Sequence, residues 1–524
     1  MRLLSPSLEG GEQRSSPLTP HPSPLTHIHS PLHPMAGIVL DNPMFRGLES
    51  SLRSDHQWGR RTMPFRWSPR EHLSLGAYLI KWLCIVTPTS IAIGSSCALF
   101  LWLLDRATNL RFQNPWLLFL LPPAGAAISL LYSRIGNGAE GGNNLLMDAI
   151  HGSENGDSGI VVPRRMAPLI LVATIISHLF GGSVGREGTA VQMGGSIAAA
   201  IGRWFRLNLG DFRILLMAGI AAGFGAVFGT PLTGAVFAME VLAVGRMNYD
   251  ALIPCLAAAI IGDQACLAWG LHHSRYSVAA VAPEIVGPLT LKVILAAIAF
   301  GLASVLFAEL IHGISHIFKR TVSRPWLRPV LGGLLVIALT YLLGTRDYLG
   351  LGVSSPDPQA VTIISCFSAN GATPWSWWWK LLFTVITLGS GFKGGEVTPL
   401  FFIGAALGNA LALLMNAPVE LFAALGFVAV FAGASNTPLA CTLMGIELFG
   451  ASCSLYFAIA CFLSYLCSGH SGIYLSQRIG TPKPGSKHLP ASDSLRAARE
   501  LRPGWGDFLA RRRTASETEP SRNG

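Results

Sequence analysis

Charge is scarce in this chain. Of its 524 residues only 13% are Asp, Glu, Lys or Arg, against roughly 25% in a soluble domain. A conventional water-facing surface cannot be built from that supply. Cysteine is sparse too: nine residues lie singly, mostly in apolar segments, with no CxxC pair. They read as small core residues rather than a disulfide framework. His312 and His316 in "HGISHIF" stand at i, i+4, a metal-like spacing. No acidic or cysteine partner accompanies them, so neither a metal nor a cofactor is expected. No Ser/His/Asp, HExxH or phosphate-loop pattern accompanies the glycine-flanked acids Glu187 and Glu396, so a membrane-embedded enzyme using either as general acid or base is disfavoured.

What is abundant is apolar. Hydrophobic residues make up 51% of the chain, and residues 75–104, "LGAYLIKWLCIVTPTSIAIGSSCALFLWLL", far exceed the roughly 20 needed for one membrane span. About ten to fourteen such segments follow one another, which implies an all-α, multi-pass membrane protein. The 57 glycines interrupt these segments densely. Many helices should therefore be short, tilted or re-entrant, with their non-helical backbone lining a cavity.

The net charge of +10 sits at the ends, in Arg53, Arg60, Arg61, Arg66 and Arg70, then Arg496, Arg499, Arg502 and 511–513. This reads as cytoplasmic flanks, with both termini inside and an even number of crossings, rather than as a nucleic-acid surface. Residues 1–70, rich in Pro, Ser and His, are expected to be disordered. Met35 or Met44 could be the true start. Residues 481–524 form a polar tail.

The two halves, about 71–270 and 288–480, share features in order. "TPLTGAVFAME" and "TPLACTLMGIE" place Glu240 and Glu447 ten residues after a threonine, and Glu187 and Glu396 precede the two prolines by 44 and 42 residues. Duplicated halves with interrupted helices mark secondary transporters, with the site at the repeat interface. Each motif is a glycine-rich break before a helix. Such a helix start exposes free N–H groups and favours an anion. A carboxylate there, Glu187, would compete with the anion when charged and leave when protonated, a gate coupled to protons. An ion pair with Arg186 is the competing structural reading; adjacent residues on a helix do not face each other.

"GREGTAVQMGG" closely resembles the GREGP signature of the CLC chloride channels and anion/proton antiporters. The resemblance covers roughly residues 73 to 480 and includes "GGEVTP" and "GIYLSQRIG". It implies a homodimer in the bilayer with one pore per subunit. Each pore would be an inverted repeat of tilted and broken helices, without CBS domains. Glu187 matches the gating glutamate and Tyr474 the tyrosine lining the inner side of the anion site. Gly185, Arg186, Gly188, Gly395 and Val397 fall in the two anion-binding signatures. Where the family's first signature carries a chloride-coordinating serine, "GGNNLLMDAIHG" offers Asn143; "DSGIVVP" at 157–163 is read as a decoy. Glu396 and Thr398 replace apolar residues of the third signature, and Val241 stands where exchangers carry an inner glutamate. This combination resembles the fluoride/proton antiporter branch. The resemblance implies fluoride export from a bacterial inner membrane, with Glu396 and Thr398 replacing the missing proton acceptor. A chloride channel or chloride/proton antiporter is the alternative.

Other residues stay open. His178 could relay protons or be a satisfied core histidine. Lys393 could raise the local potential or be a plain loop charge. Trp375 and 377–379 suggest an interfacial belt.

Overall fold

The computed structural model describes residues 69–154, 160–273, 278, 287–484 and 493–500. All but the last two residues of the expected disordered stretch 1–70 lie outside the described residues, as do 157–159 of "DSGIVVP".

The long apolar run 75–104 forms one continuous helix, α1 (Pro69–Gln113), with Pro88 inside it. The first half continues with α2 (Leu121–Ile135), α3 (Gly142–Glu154), α4 (Met166–Leu179), α5 (Glu187–Trp204), α6 (Leu209–Phe228), α7 (Pro231–Glu240) and α8 (Leu252–Ala268). The second half holds α9 (Pro288–Thr321), α10 (Leu327–Leu343), α11 (Ser376–Gly389), α12 (Val397–Met415), α13 (Val419–Ser435), α14 (Pro438–Phe449) and α15 (Ser454–Cys467). A short helix, α16 (Leu495–Glu500), follows. Among the described residues, six helical segments are long and apolar enough to cross a membrane. Others are not: α4 has 14 residues, about 21 Å at 1.5 Å per residue, short of a hydrocarbon core of about 30 Å. Such helices end inside the protein, as the dense glycines suggested.

The core is built around α6 and α13. Every residue of 215–228 and of 421–435 is buried, the pattern of a helix enclosed on all sides. Helix α5 packs on α6 and α12 on α13; α6 packs on α8 and α13 on α15. Glycine sets these contacts. A Cβ at Gly194 would meet the Gly219 carbonyl at 2.1 Å, and one at Gly426 would meet the Gly404 carbonyl at 2.0 Å. Gly426→Val should force the α12 and α13 backbones apart and cost about 3 kcal/mol or more. The expected readout is loss of the monodisperse peak in detergent. Gly313→Ala, where nothing lies within 4 Å of the added carbon, should leave the peak unchanged.

The repeat is inverted, and one pair of helices makes it visible. α6 ends in left-handed Gly229 and α13 in left-handed Asn436. Each is followed by Thr-Pro, which restarts the chain as α7 or α14; proline suits a first helical position because it lacks the N–H that would go unpaired there. α7 and α14 then cap each other. Glu240 accepts from the N–H groups of Leu439 (3.1 Å) and Ala440 (2.8 Å). Glu447 accepts from the N–H groups of Leu232 (3.0 Å) and Thr233 (2.8 Å) and from the Thr233 hydroxyl (2.5 Å). The last turn of each helix meets the first turn of the other, so the pair is antiparallel. Glu447→Ala should strand three donors and cost roughly 2–3 kcal/mol, read as a lower unfolding temperature in detergent.

The packed body continues past Gly480. β1 (Ala243–Val244) pairs in parallel with β2 (Arg478–Ile479). Leu495 and Ala498 of α16 are buried against Val244 and Ile479. Lys483 is also buried, donating to Asn436 Oδ1 (2.6 Å) and Ser468 Oγ (3.0 Å).

Candidate functional site

Two loops of the same design meet at the centre. After α4 the chain turns at left-handed Gly181, and after α11 it turns at left-handed Gly391. The loops are stapled together: Ser177 Oγ donates to the Lys393 carbonyl (2.8 Å), and Ser183 Oγ pairs with Thr384 Oγ1 (3.0 Å). They then form an antiparallel bridge. Gly185 N–H donates to the Gly395 carbonyl (2.6 Å) and Gly395 N–H to the Gly185 carbonyl (2.8 Å). A side chain at Gly395 would press on the Gly188 nitrogen at 2.7 Å. Two residues beyond each glycine, α5 and α12 begin. Two helix starts, with their free N–H groups and positive dipole ends, thus meet in the interior.

The bridge corrects the register of the repeat. It pairs Gly185 with Gly395, so Arg186 corresponds to Glu396, Glu187 to Val397 and Gly188 to Thr398. Glu187 and Glu396 are therefore not equivalent: Glu396 is the residue before α12, and Glu187 the first residue of α5.

Glu187 is 1% exposed, and its carboxylate lies across the junction. Oε2 accepts from Thr398 N–H (3.0 Å), from Arg186 N–H (3.2 Å) and from the Thr398 hydroxyl. Oε1 accepts from Arg186 Nε at 3.3 Å. The Arg186 contact runs against the sequence expectation that neighbours on a helix do not face each other. Arg186 precedes α5 with φ −111 and ψ −25, so helical spacing does not govern the pair. The carboxylate nonetheless occupies the donors at the start of α12, where an anion would bind.

The junction separates two spaces. On the Glu187 side is a constriction of about 20 Å3 lined by Arg186, Glu187, Thr398, Phe228, Phe401 and Phe427, among others; the Phe401 and Phe427 rings stack at 4.0 Å. On the other side is a cavity of about 220 Å3 lined by Asn143, Glu396, Tyr474, Gln192, Lys393 and His312, among others. Glu396 Oε2 and Asn143 Oδ1 are buried there without a hydrogen-bond partner. Both side chains approach Gly188: an added Cβ would lie 3.3 Å from Asn143 Nδ2 and 3.5 Å from Glu396 Oε2. Every residue singled out from the signatures lies at the junction or lines this cavity. Gln192 was missed. It lies in α5, five residues after Glu187 and inside the stretch "GREGTAVQMGG", beyond its GREG core.

Other residues fall into place or depart from expectation. Val241 is buried and offers no titratable group; its neighbour Glu240 is engaged in capping α14. His312 Nε2 bonds the Gly472 carbonyl at 3.0 Å, close in sequence to Tyr474. No metal-like group of His, Cys, Asp and Glu occurs among the described residues. His178 is buried beside the Gly185 backbone. Lys393 Nζ lies over the Tyr132 ring at 4.6 Å.

The chain is similar to known proteins. The family model described as "Voltage gated chloride channel" matches residues 124–469. A "Chloride/fluoride channel protein" of Pseudomonas syringae pv. tomato is 49% identical over 81% of this chain and 92% of its own length. The crystal structure of a CLC-type fluoride/proton antiporter superposes with TM-score 0.71 at 34% identity, covering 76% of this chain and 98% of that one. A slow cyanobacterial Cl-/H+ antiporter, 20% identical, shares the fold with TM-score 0.61 over 74% and 94% of the two chains. The chain is a multi-pass membrane protein and belongs to the voltage-gated chloride channel, or CLC, family.

Proposed function

We propose that the protein exchanges fluoride for protons, exporting fluoride and conferring resistance to it. The observation that carries this reading is the seating of the Glu187 carboxylate on the Thr398 and Arg186 donors, with a second carboxyl, Glu396, whose Oε2 is buried without a partner beyond the junction. When Glu187 is ionised it fills the site. When it takes a proton it loses its hold on those donors, and an anion can replace it. An ionisable group so placed inside a membrane protein is expensive and calls for a function.

Fluoride is favoured by the donor set. It is small and strongly hydrated, so dehydrating it demands strong hydrogen bonds. Asn143 offers an amide, Thr398 a hydroxyl and N–H, and a protonated Glu396 an O–H. Glu396 and Thr398 also provide the inward proton route that Val241 cannot. Tyr474, Gly185, Arg186, Gly188, Gly395 and Val397 frame the anion. The solved fluoride/proton antiporter supports this reading through its 34% identity. The wording "Chloride/fluoride" for the Pseudomonas relative keeps chloride as the second candidate. The working unit on this reading is a homodimer with a pore in each subunit. It would sit in a bacterial inner membrane with both termini cytoplasmic.

The test is a pH gradient. Liposomes containing purified protein and loaded with fluoride should release it when protons are supplied outside, and protein-free liposomes should not. Release that ignores the gradient would count against exchange.

A further inference from the structure

Two basic side chains are buried on the Glu187 side of the junction without an acidic partner among the described residues. Lys380, in α11, is wholly buried. Its Nζ donates to the carbonyls of Tyr348 (3.2 Å) and Gly350 (2.7 Å) and lies 5.4 Å from the centre of the Phe402 ring. Arg111, near the end of α1, is 9% exposed and lies over the Phe112 ring at 4.8 Å. Its Nη1 is buried with no hydrogen-bond partner. Gly350 and Gly352 fold the backbone around both groups in left-handed conformations. A Cβ at Gly350 would meet Arg111 Nη1 at 2.3 Å, and one at Gly352 would approach Lys380 Nζ to 3.4 Å. Buried His178 has Arg111, Lys380 and Arg186 among its charged neighbours. No salt bridge reaches Arg111 or Lys380 among the described residues.

Arg111 also lines a cavity of about 490 Å3, with Arg346, Asp347, Thr345, Ser354 and Thr362. Asp347, an acid on this wall, accepts from Val361 N–H at 3.1 Å. The cavity adjoins the constriction. Gly352 and Thr362 face the cavity, Val353 and Ile363 face Glu187, and Ile363 N–H ties back to the Gly352 carbonyl at 2.8 Å.

An uncompensated buried cation costs several kcal/mol, and carbonyls and ring faces recover only part of that. A bound anion would supply the missing charge. We propose that Arg111, on the cavity wall with Lys380 buried behind it, forms a second anion site on the Glu187 side, binding a small monovalent inorganic anion. It lies apart from the paired helix starts and collects the transported ion beside the constriction. The ligand class stands on these residues; the collecting role rests on the exchange reading.

Bromide is the probe. Crystals of the full-length protein soaked in bromide should show anomalous density against Arg111 in this cavity. Crystals of Arg111→Gln should lack it. In liposomes, Arg111→Gln and Lys380→Met should each raise the fluoride concentration for half-maximal exchange by roughly three- to tenfold, with the maximal rate kept. Arg111→Lys should recover most of the loss, which a packing role of the guanidinium would not allow. Absence of bromide from the unmutated protein, or an unchanged half-saturation in both variants, overturns the site. Neither result touches the exchange reading, which fails separately if the unmutated protein moves no protons under a fluoride gradient.

Discussion

Glu187→Gln protein should move anions without moving protons. Glutamine keeps the length of the side chain and an oxygen able to accept from Thr398 N–H, whose present bond is 3.0 Å. It loses the charge that pairs with Arg186 and cannot take up or release a proton. The junction should therefore fold as before, because the Gly185–Gly395 bridge and the loop staples do not involve the Glu187 side chain. Positioned acid–base groups typically supply a factor of 10²–10⁴ to proton transfer. Proton movement driven by a fluoride gradient should fall by at least roughly 10². Passive anion flux, measured with an electrode in the same liposomes, separates this outcome from simple loss of protein. Retained proton pumping by Glu187→Gln would remove the gate from Glu187.

Glu396→Ala should abolish coupling by a different route. Glu396 stands at the cavity wall beside Asn143, approaching Gly188 from the side opposite the constriction. Its Oε2 bonds nothing, so truncation strands no partner of that oxygen. The protein should remain monodisperse. With Val241 unable to titrate and Glu240 committed to the α14 start, the other carboxyl lining the cavity among the described residues is Glu140, which is exposed. Fluoride-driven proton movement should fall to the protein-free background, and fluoride itself should bind less well for want of an O–H donor. Exchange at the original rate would make Glu396 a bystander and remove the main mechanistic support for fluoride. The two variants also differ from each other. Glu187→Gln should leave anion flux, whereas Glu396→Ala should weaken it.

The junction was legible because its chemistry is local. Glycines beside a charge inside an apolar run leave few physical explanations, and the Thr-Pro-Leu stretches marked the repeat through their glutamates. The register was not legible from those glutamates. Aligning Glu187 with Glu396 slips the halves by one residue. The packing glycines carry the true spacing: Gly194 follows Gly185 by nine residues and Gly404 follows Gly395 by nine. Likewise Gly219 and Gly426 each precede the Thr-Pro proline by twelve. Glycine held by close backbone approach is a stricter marker than a repeated acid. The Arg186–Glu187 contact was misjudged because the helix begins at Glu187, a boundary that sequence does not fix to one residue. Arg111 and Lys380 were invisible as a pair. They are far apart in the chain, and only the fold of Gly350 and Gly352 brings them together. The packing of α16 on β1 and β2 was hidden for the same reason: its two buried residues, Leu495 and Ala498, lie in a polar tail.

The most direct measurement pits fluoride against chloride in one preparation. Liposomes containing the unmutated protein are given equal outward gradients of either anion, and proton uptake is followed with a pH electrode. Fluoride should drive protons inward, and chloride should drive far fewer. Equal proton uptake with the two anions would contradict the account.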